Sequence, residues 1–253
     1  MSASGGRRNR LVAGDFNLPW RSSRYSHRTA EGPRPARMTS SLEADAFSKL
    51  RQEMVENQIR LRGIADSRVI EAMLRVPRHE FVHANYRMQA YEDHPLPIGA
   101  GQSISQPYIV ASMLEALELR PTDRVLEVGT GSGYVTALLA LLAAEVFSIE
   151  RHASLAEQAE TVLNSLGYKN VRMFVGDGSQ GLPQYAPFDA ITIAAATPEL
   201  PETLVGQLSE GGRMIVPVGS AESQQLQLIR IQNGRPQIFP REPVRFVPLV
   251  LSE

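Results

Sequence analysis

The sequence predicts an α/β fold built on a doubly wound, mostly parallel sheet, and three observations carry that reading. Short apolar runs ending in glycine or an acidic residue recur between helical spans from residue 124 to 219. One of them, "VLEVGTGSGY" at 125–134, passes from strand to glycine loop to helix. Polar–apolar alternation starts only at "QLQLIRI", 225–231, so an antiparallel C-terminal edge follows the parallel block. Strands separated by helices of this length imply right-handed βαβ units.

Composition sets the limits. With 253 residues and 43% hydrophobic content, one domain can bury roughly 70–75% of its unfolded surface. Cysteine is absent, which excludes disulfides, thiolate zinc sites and cysteine nucleophiles and fits a reducing, cytoplasmic setting. No apolar run approaches the roughly 18 residues of a membrane helix, so a soluble chain is expected. The five histidines are too dispersed to suggest a metal site, although His79 and His83 stand four apart.

The net charge of −1 hides an asymmetry: residues 1–40 carry eight arginines against Asp15 and Glu31, a net of +6, leaving −7 for the rest. The first 40 residues, which include Trp20, show no apolar period, and predict a disordered basic extension ahead of a single domain over 41–253. Such a segment can bind nucleic acid, act as a transit signal, form a plain solvated extension, or precede a start at Met38. The acidic remainder argues against a nucleic-acid surface on the domain itself.

Along the chain, Phe47, Leu50, Met54 and Leu61 form the stripe of an amphipathic helix ending at Gly63. A second helix fits Asp66 to Val76, closed by Pro77. Residues 81–106 read as irregular, with extended backbone at Pro95 and Pro97 and tight turns at Gly99 and Gly101. Pro107 to Leu119 reads as a helix with proline in its first turn. Strands follow at 124–129, 145–150, 170–177, 188–196 and 211–219, with helices at 134–144, 152–166 and 201–208. Asn233-Gly234 offers a hairpin turn, and "VRFVPLV", 244–250, reads as an edge strand carrying Pro248.

The glycine loop is the strongest chemical signal. Its spacing is G-x-G-x-G at Gly129, Gly131 and Gly133, with Thr130 and Ser132 between them and Glu127 two residues ahead. Dinucleotide sites use G-x-G-x-x-G instead, which argues against a nicotinamide or flavin. This segment resembles motif I of class I S-adenosylmethionine-dependent methyltransferases, a Rossmann-like fold. Glu150 ends the next strand, where a carboxylate can accept hydrogen bonds from both ribose hydroxyls. Asp177, with Gly178 beside it, suits the adenine amino group. Glu127, Glu150 and Asp177 are thus expected around one crevice.

The stretch "LPIGAGQSISQPYIVA", 96–111, with "VLEVGTGSGY", "GDG" at 176–178 and the terminal "VRFVPLV", is similar to the protein-L-isoaspartate O-methyltransferase family over residues 42–250. The resemblance implies methyl transfer from S-adenosyl-L-methionine to the free α-carboxylate of L-isoaspartyl residues in damaged proteins and peptides. The ester then closes to a succinimide that hydrolyses partly to aspartate. It also implies that Ser105 is the active-site serine, that Ser103 and Gln106 assist it, and that Val244, Arg245 and Phe246 wall the substrate cleft. A monomer acting without a metal or a membrane is expected. Ser105 could instead cap the helix beginning at Pro107. The family pattern is broken at Ser179, where an aromatic or charged residue is expected.

Two alternatives differ in kind. An RNA or small-molecule methyltransferase acting on amines would show Asn/Asp-Pro-Pro-Tyr/Phe after the fourth strand, but this chain has Ala194-Ala195-Ala196-Thr197-Pro198. A non-catalytic module would keep the cofactor pocket and use the basic tail for binding.

Overall fold

The computed structural model describes residues 40–250. The basic extension expected over 1–40 lies outside them, save for Ser40, which opens helix α1 (Ser40–Met54). The helix runs on as a π-turn over Val55–Ile59 and a 3-10 turn over Arg60–Arg62 before Gly63. The wider π-turn shifts the apolar face. Val55 and Ile59 therefore join Met54 in the core, whereas Leu61, expected on the buried stripe, is 73% exposed. Asp66 caps α2 (Ser67–Arg75) by accepting from the Arg68 and Val69 amides at 2.8 and 3.2 Å.

The segment read as irregular contains 3-10 turns at Arg78–Phe81 and Ala84–Gln89. It also holds an antiparallel pair, β1 (Leu96–Gly99) with β2 (Gln102–Ile104), closed by the turn at Gly99 to Gly101. Strands this short give no periodic signal. The chain then enters α3 (Pro107–Leu117) and alternates β3 (Arg124–Val128), α4 (Tyr134–Leu142), β4 (Glu145–Glu150), α5 (Ala153–Ser165) and β5 (Val171–Val175). It continues through β6 (Phe188–Ile193), the short α6 (Glu202–Val205), β7 (Leu208–Gly219), β8 (Gln224–Gln232) and β9 (Arg235–Val244).

These seven strands order as β5-β4-β3-β6-β7-β8-β9. The first five are parallel, and β8 and β9 add the antiparallel edge. Both faces of the sheet are covered. Val125 and Val146 pack with Leu114, Leu117, Leu138 and Leu139 of α3 and α4, while Leu126, Val128, Phe147 and Ile149 pack with Phe188, Ile191 and Leu204 on the other side. Each such side chain contributes about 1.5–3 kcal/mol of burial energy. No helix among the described residues is long and apolar enough to cross a membrane.

The C-terminus departs from expectation. The strand that follows the Asn233-Gly234 turn is β9, and it pairs with β8 from Gln232↔Arg235 to Gln224↔Val244. A two-residue hairpin turn pairs the strands from its first residue, so the edge is complete at Val244, where "VRFVPLV" begins. Pro236, Pro240 and Pro243 are tolerated in β9 because the sheet ends there. Residues 245–250 cross over beyond the carboxyl end of β6, where Ala196, three residues past the strand, makes one parallel bridge with Pro248.

Candidate active site

The order of the sheet reverses between β3 and β6, the place where open α/β sheets bind ligands beyond the carboxyl ends of their strands. The gap there is a crevice of about 850 Å³, open mouth included. Its floor is Val128 to Ser132, one wall is Ile149 to His152 with Gly178, and the other is Ala194 and Ala195. Gln102 to Ser105 and Val247 to Val250 close over it.

Glu150 is its main polar feature. The residue is 6% exposed, and its two oxygens accept from the amides of Gly131 (2.8 Å) and His152 (2.9 Å). A carboxylate has about four acceptor positions, so each oxygen can still receive one hydroxyl. Gly131 has φ of 55°, a left-handed conformation, and a Cβ there would sit 3.3 Å from Ile98 Cδ1. A Cβ on Gly178 would come within 2.5 Å of Val128 Cγ1. A carboxylate ready for vicinal hydroxyls, beside backbone too close-packed for side chains, fits the nucleoside part of S-adenosylmethionine.

The other residues expected at the cofactor divide. Gly129, Thr130, Gly131, Ser132 and Gly178 line the crevice; Glu127, Gly133 and Asp177 do not. Thr130 spends its hydroxyl on Ser148 (2.5 Å), and Ser132 Oγ accepts from the Tyr134 amide (3.3 Å) at the start of α4. Gly133 serves packing, since a Cβ there would lie 3.0 Å from Ala159 Cβ. Asp177 accepts from the amide and the hydroxyl of Ser179, both at 2.9 Å, and so caps the following turn. Ser179, the residue off the family pattern, is buried by that contact.

Glu127 stands apart from the crevice lining, with its carboxyl held beneath the loop. One oxygen accepts from Thr136 and Ser148 at 2.6 Å each; the other has no partner among the described residues. Burial pushes its carboxyl up to about 7, against the pull of those two hydroxyls. With Thr130 and Ser148 it ties the loop to the sheet. It also lines a small cavity with Ser105 and Thr192.

Ser105 follows β2 and stands where three hollows meet: the crevice, the small cavity above Glu127, and a second cleft. That cleft runs between Ser103, Ser105, Gln106 and Ile109 on one side and Pro243 to Val247 on the other. The alternative of a helix cap is not taken up, for α3 begins without a side-chain cap. Gln106 instead donates to Asp93 (2.8 Å), which also pairs with Arg62 (2.6 Å). Val244, Arg245 and Phe246 do reach the cleft, and Phe246 is held by the Gln224 side chain through its N–H (2.6 Å) and C=O (3.0 Å).

Gln224, Asp93 and Arg78, which donates to the Ser105 carbonyl at 2.8 Å, were invisible to sequence reasoning. Their role depends on contacts 13 to 27 residues away.

Similarity to known proteins points the same way. The family model for Protein-L-isoaspartate(D-aspartate) O-methyltransferase matches residues 49–253. The protein-L-isoaspartate O-methyltransferase of Koribacter versatilis is 55% identical over 213 residues, 84% of this chain and 96% of that one. That of Methanoculleus marisnigri is 54% identical over 209 residues, 83% and 95% of the two chains. A Plasmodium falciparum enzyme of the same description, solved in complex with S-adenosyl-L-homocysteine, superposes with a TM-score of 0.70 at 28% identity and covers 81% of this chain and 98% of its own. With its G-x-G-x-G crevice and its serine at the junction with a second cleft, this chain belongs to the protein-L-isoaspartate (D-aspartate) O-methyltransferase family.

Proposed function

We propose that this chain methylates the free α-carboxylate of L-isoaspartyl residues in damaged proteins and peptides, with Ser105 as the residue that presents that carboxylate. The activity and the cofactor are those of its family; the assignment of residues is our reading. The observation that carries it is the position of Ser105 between two hollows, one suited to a nucleoside and the other walled by the segment from Ser103 into α3 and by residues 243–247.

S-adenosylmethionine, when bound, supplies the methyl group on a sulfonium that leaves readily. Glu150 would hold its ribose hydroxyls, and the loop from Gly129 to Ser132, with Gly178, would cradle it. The acceptor needs little activation. An α-carboxyl has a pKa of roughly 3.3–3.7, so it is already an anion at neutral pH and no general base is required. What remains is placement and exclusion of water. The Ser105 hydroxyl can donate one hydrogen bond to the carboxylate, enough to orient it without the grip of a direct cation. Ser103 and Gln106 border the same cleft, and Val244 to Phe246 face them as a backbone wall suited to an extended peptide.

The test is methyl transfer from labelled S-adenosylmethionine to two synthetic peptides that differ only in L-isoaspartate or L-aspartate at one position. Base-labile label on the isoaspartyl peptide alone is the expected result. Equal labelling of both peptides, or of neither, would refute the assignment.

A further inference from the structure

Arg78 is fully buried, yet no carboxylate lies within ion-pair distance of it among the described residues. Its Nε donates to the Ala90 carbonyl (2.7 Å) and one terminal nitrogen to the Ser105 carbonyl (2.8 Å). The other terminal nitrogen has no partner among the described residues. The guanidinium lies 4.8 Å from the centre of the Tyr134 ring, and Tyr134 is the residue that follows the glycine loop and lines the crevice. One side chain thereby joins the peptide of Ser105 to the start of α4. Burial lowers its pKa to about 10, so it remains a cation at neutral pH.

A desolvated cation without an acid in ion-pair distance is costly, and two carbonyl dipoles, the Tyr134 ring and the more distant field of Asp93 compensate it only in part. The nearby acids are engaged elsewhere: Asp93 with Arg62 and Gln106, Glu80 with Arg87. A neutral residue would serve a purely structural link at lower cost. A positive charge is useful at this place if the anion it complements arrives from outside.

We infer that Arg78 is a positioning residue for the transfer reaction: its fork fixes the Ser105 peptide against Tyr134, and its unbalanced charge draws the acceptor carboxylate to the Ser105 hydroxyl. This rests on the reading of Ser105 as the transfer site. Direct contact with substrate is not required, because the guanidinium acts through the Ser105 carbonyl and through its field. The fork and the charge are separable. Arg78→Lys keeps the charge and loses the planar fork; Arg78→Gln keeps a donor and loses the charge.

The experiment measures kcat and KM for an isoaspartyl peptide, the Kd of S-adenosylhomocysteine, and the unfolding midpoint, for the full-length wild type, both variants and Ser105→Ala. Loss of the fork should lower kcat in Arg78→Lys by about 100-fold, the scale of a misplaced reacting group, while peptide KM is kept. Loss of the charge should in addition raise peptide KM in Arg78→Gln by about tenfold. In both variants S-adenosylhomocysteine should bind as in wild type. Wild-type kinetics in the Arg78 variants, or a loss that tracks weaker S-adenosylhomocysteine binding alone, would overturn the inference. If Ser105→Ala is impaired and the Arg78 variants are not, only this inference fails; if Ser105→Ala is also unimpaired, the site reading fails with it. Should neither Arg78 variant fold, Tyr134→Leu carries the decision: a kcat lowered beyond any change in S-adenosylhomocysteine Kd supports the coupling, and an unchanged kcat overturns it.

Discussion

Two buried arginines stand at opposite ends of the sheet, and they are treated differently. At the amino ends of the strands, Arg213 pairs with Asp123 (2.6 Å) and donates to the carbonyls of Leu117, Glu118 and Asp189 at 2.8, 3.1 and 3.2 Å. At the carboxyl ends, Arg78 has two carbonyls and, among the described residues, no acid within ion-pair distance. The same contrast holds for the acids. Asp123 has its charge answered within the fold, whereas Glu150 is held by two amides and keeps room for two hydroxyls. One end of the molecule closes its electrostatics on itself and the other leaves them to be completed by ligands, so a polar group at the first end reports on stability and one at the second on function.

That division can be broken by mutation, and the largest effect is expected at the closed end. Asp123→Asn strands the Arg213 guanidinium, at a cost of about 3–5 kcal/mol in urea unfolding. Folded enzyme should turn over at the wild-type rate; a slower rate without a stability loss would break the comparison. Between the ends, Glu127 makes stability depend on pH. Its folded pKa, about 7, lies above the ordinary carboxyl value of 4.5, so the fold holds the proton more tightly than the unfolded chain does. The associated stability is full below the lower value and is lost as pH rises through the higher one. Glu127→Gln, neutral at every pH, should match wild type near pH 4 and exceed it at pH 8 by on the order of 3 kcal/mol. Unfolding midpoints at the two pH values read this directly, and parallel curves would refute it.

Effects at the open end are smaller and fall on ligands. Glu150→Gln should weaken S-adenosylhomocysteine by about 10- to 100-fold, the worth of hydrogen bonds to a charge, as measured by calorimetry. Gln224→Ala frees the Phe246 backbone at the wall of the second cleft. Peptide KM should rise by roughly five- to tenfold while S-adenosylhomocysteine affinity stays as it was. A change in cofactor affinity instead would show that the two hollows are not separate.

Much of the open end was legible in the sequence because loops that hold ligands use local patterns. The strand-glycine-helix run pointed to Gly129 to Ser132 and the acid at the end of the next strand to Glu150, all of which line the crevice, while Ser105 came from the family resemblance of the stretch before Pro107. Glu127 lies off the crevice lining, and its place in the motif says nothing of which way it points. Strand alternation puts it on the same face as Val125, toward α4, where Thr136 receives it. Leu61 failed because a π-turn changes the period that the stripe assumed. The edge strand was placed nine residues late because alternation in "VRFVPLV" outweighed the turn at Asn233-Gly234, although a tight turn fixes its partner at once. Arg78, Asp93 and Gln224 act through tertiary contacts alone, and no local pattern announces them.

The central claim is that transfer takes place at Ser105, between the cofactor crevice and the peptide cleft. The most direct measurement is kcat of Ser105→Ala on the isoaspartyl peptide, with the S-adenosylhomocysteine Kd and the unfolding midpoint taken on the same preparation. Loss of the hydroxyl that places the reacting carboxylate should lower kcat by about 100-fold while the other two quantities stay at wild-type values. A variant that keeps its kcat within about twofold would contradict the claim and move the transfer site away from Ser105.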